Sequence, residues 1–310
     1  MRVMVRQKRS WQWLAAAFVF SLVVVWYMVQ NLGQLHRSIE IIQRTPVYEY
    51  LFAAPLLLLT FVLAAFSYGF LAFHPLKFLE LFTVELAAAA VNRVVPSGLG
   101  GAGLHGLYLH NRRHTVAEAT AVVSTNNLLG ALVHLSILGA VLVPVASRHF
   151  HFRLDIEQRW ILLGCGAICM MLFALWIFRR VAYRFVRNVL ASLRTYEQQP
   201  HRLVYAAFSL LALTLTNLVI LHLVASSYGV WLDAPTLLVI YSVGVLMGAV
   251  VPTPGGLAGV EAGLTGGFMA FGVESTNAIA LALTFRLLTY WLPIIPGLIA
   301  LVVARAHRLL

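Results

Sequence analysis

Long apolar runs separated by short polar and basic turns make up most of the chain. A helix needs about 20 apolar residues to cross a hydrocarbon core roughly 30 Å thick. Six stretches meet that length, at about 11–29, 47–73, 117–146, 160–178, 203–225 and 276–304. The first follows a basic start (Arg2, Arg6, Lys8, Arg9). It is longer than a signal-peptide core and lacks a clear small-residue cleavage site, so it reads as an uncleaved span. The segment NLGQLHRSIEIIQRTP, 31–46, is too polar to span and reads as interfacial or loop.

Two more segments, 78–95 and 235–251, are apolar but break at PSGLGGAG and PTPGGLAG. After the first break only Leu104 to Leu109 remain apolar before HNRRHT, far too few to complete a crossing. After the second, about a dozen mostly apolar residues precede GVEST. Both segments therefore predict re-entrant hairpins, 78–110 and 235–272, that return to the side they entered. Non-helical backbone at that depth survives only inside protein or against a watery cavity.

Composition agrees: 61% of the 310 residues are hydrophobic and 11% charged, which excludes a soluble domain. The net charge of +11 does not indicate nucleic acid, because the basic residues lie in the turns. With a cytoplasmic N-terminus and both hairpins returning, the cytoplasmic segments hold 15 of the 22 Lys and Arg and the external ones five. Two, Arg93 and Arg286, stay within the membrane. That bias is the positive-inside pattern of a plasma (inner) membrane protein with both termini cytoplasmic. Cys165 and Cys169 lie one helical turn apart in an apolar run and read as packing residues.

The two breaks resemble each other at an offset of 156. VVPSGLGGAG at 94–103 meets VVPTPGGLAG at 250–259, so Pro96 falls on Pro252, Gly100 on Gly256 and Gly103 on Gly259. Each half, 11–146 and 160–304, reads span, span, hairpin, span, and the hairpins open to opposite sides. The fold class expected is all-α: one polytopic membrane domain over 1–310, with about six transmembrane helices and two oppositely oriented re-entrant hairpins in an inverted-topology repeat.

Pro96, Pro252 and Pro254 stop the descending helices, while Gly100, Gly101, Gly255 and Gly256 allow tight turns. Each new half-helix starts with unpaired N–H groups and a positive dipole end, an arrangement that attracts anions. Arg286 lies ten residues into the last span and Glu261 in the first turn after the second break, so the two should pair at mid-depth. Asn92 and Arg93 precede the first break, with Glu85 seven residues before Asn92 on the same face. Together Arg286, Glu261, Arg93, Asn92 and the four glycines form the candidate substrate-binding set.

Weaker candidates have plainer readings. Asn126 and Asn127, at the depth of Arg286, serve as interhelical glue. His110 and His114 fall in a basic turn and read as solvated or headgroup-facing rather than metal-binding. His134, Asn217 and His222 read as hydrogen-bonded interior groups. RRVAYRFVRNVLASLR, 179–194, should lie along anionic inner-leaflet lipids. No nucleotide loop, nucleophile elbow, HExxH or dinucleotide fingerprint is present, so no cofactor and no catalytic residues are expected.

VPTPGGLAGVEAGLTGGFMAFGV, followed by ALTFRLLTYWLPIIPGL, resembles the C-terminal signature of the lysylphosphatidylglycerol synthase transmembrane-region family, the flippase-like domain proteins. NRVVPSGLGG matches more loosely. Many members carry charged residues where this chain has Gly101, Leu104, Asn126 and Asn127. The resemblance implies a membrane lipid as substrate. In multiple peptide resistance proteins this domain is associated with moving an aminoacylated lipid between leaflets. The function expected is translocation of a lipid with an anionic or zwitterionic head. The alternatives are a non-catalytic partner that organises a lipid-modifying enzyme and, third, a membrane-embedded transferase whose base would be Glu261.

Overall fold

The computed structural model describes residues 53–94, 99–149, 187, 194–250 and 255–310. The expected spans 11–29 and 160–178, Cys165 and Cys169, nearly all of the basic stretch 179–194, and Pro96, Pro252 and Pro254 lie outside the described residues. Within them the chain is helical, with no strands: α1 Ala53–Leu71, α2 Phe78–Val94, α3 Leu99–Asn111, α4 Val116–His149, α5 Pro200–Ser227, α6 Ala234–Val250, α7 Gly259–Ala270, α8 Ser275–Arg286 and α9 Ile294–Ala306. Among the described residues four stretches are long and apolar enough to cross a membrane: Ala53–Leu71, Val116–Leu142, Pro200–Ser227 and Ser275–Ala306. They coincide with four of the six expected spans. Phe66, Phe208, Ile299 and Val302 stay exposed, as lipid-facing side chains should.

The chain turns back at both breaks. In the first hairpin Asn92 meets Gly101, Glu85 meets His105, and Glu80 meets Tyr108 and Arg112, the rising and falling numbers of an antiparallel pair. In the second, Gly248 faces Val260, Gly244 faces Gly263 and Ile240 faces Gly267. That second contact is a glycine seam. A Cβ at Gly259 would lie 2.7 Å from the Met247 carbonyl oxygen, and one at Gly263 would lie 2.8 Å from the Gly244 Cα. Small residues at four-residue intervals let two backbones touch, which is how helices associate where lipid removes the hydrophobic drive.

The hairpins join cores at opposite ends of α1. Leu81, Tyr108 and Leu109, at the open end of α2–α3, pack with Ala65, Tyr68 and Leu71 of α1 and with Ala206 of α5. Leu237, Ile240, Leu264 and Phe268, at the open end of α6–α7, pack instead with Ala53 and Leu57 of α1 and with Ile220, Leu221, Val224 and Ala225 of α5. The described ends of α2 and α6 next to the breaks therefore face the middle of the bundle.

The last span departs from the continuous helix expected over 276–304. After Arg286 the backbone widens into a π turn, Leu287–Trp291, in which the Leu292 N–H reaches the Leu287 carbonyl at 2.9 Å. Pro293 follows and has no N–H to give the Thr289 carbonyl four residues earlier. A π turn and a proline side by side leave carbonyls to be satisfied from elsewhere.

Candidate functional site at the hairpin tips

Arg93, the penultimate residue of α2, supplies those donors. Its Nη2 donates to the Thr289 carbonyl at 3.1 Å, its Nε to the Tyr290 carbonyl at 3.2 Å, and its Nη1 to Ala89 one turn back. Its guanidinium carbon also lies 5.0 Å from the centre of the Tyr290 ring. Arg286 approaches the same ring at 4.1 Å. Tyr290 is buried, so both cation–π contacts are shielded from water.

Arg286, only 8% exposed, donates through Nε to Glu261 Oε1 at 2.7 Å and through Nη2 to the Gly255 carbonyl at 3.1 Å. The pairing expected from the sequence is formed. Glu261 Oε2 is buried without a hydrogen-bond partner. Gly255 has φ +60° and Gly256 φ +68°, and a Cβ on Gly255 would lie 2.2 Å from the Tyr290 ring. The tips of both hairpins thus converge on Tyr290, one through Arg93 and the other through Gly255. Two guanidiniums lie against this ring, one of them bound to a carboxylate.

Arg93 and Arg286 are both engaged, by backbone carbonyls and by Glu261. One expectation is corrected: the start of α3 is not bare, since Asn92 Oδ1 accepts from the Gly101 N–H at 2.6 Å, and the tight approach leaves no room for a Cβ at Gly101. Gly100 is half-buried at the second position of α3. By contrast, no side chain caps the start of α7, where Glu261 occupies the first turn.

A second polar cluster lies deeper in the first hairpin. A cavity of about 370 Å³ opens between α1, α2, α3, α4 and α5, walled by Glu85, His105, Asn92, Asn126, Asn127 and Ser67 among others. His105 Nε2 is 2.9 Å from Glu85 Oε2, and the Tyr68 ring stacks on the imidazole at 3.9 Å and 8°. Ser67 donates to Asn126 Oδ1 at 2.7 Å, so that asparagine ties α4 to α1.

Sequence reading missed His105 and Tyr290. Tyr290 had a signal, its four-residue spacing from Arg286 on one helical face. His105 also had one, because at the offset of 156 it falls on Glu261.

In the basic turn His110 and Arg113 are exposed as expected, but His114 is not solvated. His114 is buried, its Nε2 accepts from the Phe73 and His74 N–H groups at 3.1 and 3.3 Å, and its Nδ1 donates to the Leu109 carbonyl at 3.1 Å. Backbone donors on Nε2 make this imidazole neutral, and its burial holds it below the ordinary histidine range. Arg112 pairs with Glu80 at 2.7 Å and is held above its ordinary value by that carboxylate. Asn217 donates to the Leu213 carbonyl, as an interior amide should. His134 does not match its expectation, because its Nε2 is buried with no partner. His222 packs edge-on to Trp231. No group of three or more metal-ligating side chains occurs among the described residues.

Four apolar spans and a charged centre where two helical hairpins meet define an integral membrane protein. The chain belongs to the lysylphosphatidylglycerol synthase TM region family, which matches residues 13–297. No curated protein matches the sequence.

Proposed function

We propose that this protein moves a lipid with an anionic or zwitterionic head between the leaflets of a plasma membrane, without chemical catalysis. The observation that carries the reading is the convergence of Arg93 and Arg286 on Tyr290, with Glu261 bound to Arg286. Arg93, Arg286 and Glu261 together carry one more positive than negative charge, and Arg286 lies about 16 Å along the last span from Ser275. A lipid phosphate arriving there would take over guanidinium donors now given to Glu261 and to backbone carbonyls. Glu261, with one oxygen already unpartnered, would be the group it displaces.

The hairpins supply access in this reading. They are re-entrant, enter from opposite leaflets and form an inverted-topology repeat, so each leaflet reaches the centre past one hairpin. Both termini lie in the cytoplasm, and the basic stretch 179–194 rests on anionic inner-leaflet lipids. The family, named for a lipid-modifying synthase, supports a lipid substrate.

The test is leaflet exchange of a fluorescent phospholipid in liposomes holding the purified protein. Faster exchange than in empty liposomes, lost in a folded Arg286→Gln variant, supports translocation. Exchange no faster than in empty liposomes, across phospholipids and polyprenyl carriers, favours a non-catalytic partner of a lipid-modifying enzyme.

A further inference from the structure

His105 and Glu85 face each other in a way that requires a proton. His105 Nδ1 lies 2.9 Å from the Gly101 carbonyl oxygen, four residues back. A carbonyl only accepts, so Nδ1 carries hydrogen. In a neutral imidazole Nε2 is then a bare lone pair, and it lies 2.9 Å from Glu85 Oε2. A lone pair against a carboxylate oxygen at that distance is repulsive. One proton, on either atom, makes the contact attractive. Both atoms are buried, and neither has an aligned hydrogen bond to any group, the other of the pair included.

We infer that Glu85 and His105 form a one-proton binding site in the wall of the first-hairpin cavity. With the proton in place the pair is net neutral and holds α3 to α2. Without it the pair carries one negative charge and the contact opens towards the cavity. The residues lining the cavity include no second carboxylate or imidazole. From α1 it meets Tyr68, stacked on the imidazole, and Ser67; from α4 it meets Asn126 and Asn127. The α5 face of the cavity presents Leu210 and Leu213. On α2 the nearest charges flank the pair at the two ends of the hairpin, Arg93 at the tip and Glu80, bound to Arg112, at the base. His105 occupies in this half the offset position that Glu261 holds in the other. One half would then present a protonatable pair and the other a carboxylate–guanidinium pair. If the translocator reading is right, on which this last step rests, proton release couples to movement of the first hairpin.

The deciding measurement is made on the full chain in bilayers, labelled with ¹⁵N-histidine and ¹³C-glutamate, at about pH 7.5, where free imidazole is mostly neutral. His105 and Glu85 are assigned by loss of their signals in His105→Gln and Glu85→Gln. The expected result is either an imidazolium beside a carboxylate or a neutral imidazole beside a protonated carboxyl. In Glu85→Gln, His105 should return to the neutral form with hydrogen on Nδ1. A neutral imidazole beside an ionised carboxylate in the wild type overturns the inference. A second arm imposes a pH gradient on the liposomes used for lipid exchange. A rate that responds to the gradient in the wild type but not in Glu85→Gln extends the site to coupling, and a rate indifferent to the gradient in both removes coupling. No exchange at all sinks the translocator reading, while the spectra still decide the proton site.

Discussion

Arg93 donates through Nε to the carbonyl of Tyr290 at 3.2 Å, joining the tip of the first hairpin to a residue almost two hundred positions later. The link exists because Pro293 has no N–H for the Thr289 carbonyl, and a guanidinium can serve that carbonyl and the Tyr290 carbonyl at once. Arg93→Gln should strand at least one buried carbonyl and cost about 1–3 kcal/mol. Arg93→Lys should recover only part of this, because an ammonium cannot span two carbonyls with a planar fork. Thermal unfolding in detergent measures both. Equal stability of Gln and Lys variants with wild type would show that the link contributes nothing.

The glycine seam predicts opposite outcomes for two glycines three residues apart in α7. At Gly263 a Cβ would press on the Gly244 backbone at 2.8 Å, so Gly263→Ala should separate the hairpin arms and lower the melting temperature by several degrees. At Gly266 nothing lies within 4 Å of the added Cβ, so Gly266→Ala should be neutral or stabilise by up to about 1 kcal/mol through helix propensity. Gly256→Leu should be as severe as Gly263→Ala or worse, because φ there is +68° and a Cβ would lie 3.1 Å from Gly248. The same ranking of melting temperatures, in reverse, would remove the seam from the account.

His114 gives the stability a definite pH dependence. Burial depresses its protonation in the folded protein, with the neighbouring His74 adding to the effect, so the unfolded chain takes up a proton more readily. Stability is therefore whole above about pH 6.5, the ordinary value for histidine, and falls as the pH drops below it. A protonated Nε2 would also lose its two backbone donors, Phe73 and His74. Melting temperatures between about pH 8 and 5 should fall with acid in the wild type and fall less in His114→Gln.

Much of this architecture is legible in the chain, and the gaps have physical causes. Apolar length alone locates spans, since lipid demands it, and the proline–glycine breaks mark both hairpins. The Glu261–Arg286 pair follows from depth, because two opposite charges at mid-membrane have no better partner. Arg93 was harder to read. Sequence shows a buried cation but not the π turn it serves, since helix widening after Arg286 depends on how the span packs. His105 escaped notice because a lone histidine in an apolar helix is usually packing, and only the fold brings Glu85 beside it.

The orientation proposed above predicts which positions a membrane-impermeant thiol reagent reaches. With Cys165 and Cys169 replaced, single cysteines at Ser38, His149 and Ser275 should label from outside, and those at Arg112 and Gln198 only after permeabilisation. Arg112 is the sensitive position, because it lies at the open end of the first hairpin with Glu80. External labelling there would mean that this hairpin opens outward, against the basic-residue bias.

The ion pair at the centre predicts coupling between two residues 25 positions apart. Arg286 holds Glu261 at 2.7 Å while also donating to Gly255, so Arg286→Gln strands a buried carboxylate and loosens the second hairpin tip. Glu261→Gln leaves a buried guanidinium with a carbonyl and an aromatic ring for company. Each single change should cost about 3–5 kcal/mol, the usual result of breaking a buried pair from one side. The double change removes both charges together, so it should cost less than the sum, by about 0.5–3 kcal/mol. A double-mutant cycle on unfolding in detergent reads this directly. Strict additivity would mean that the two charges do not stabilise one another. If Glu261 is the group a lipid phosphate displaces, Glu261→Gln should also free Arg286 donors and tighten phospholipid binding, measured by retention of labelled lipid on the purified protein. Weaker retention in this variant than in the wild type would argue that Glu261 itself contacts the headgroup rather than yielding to it.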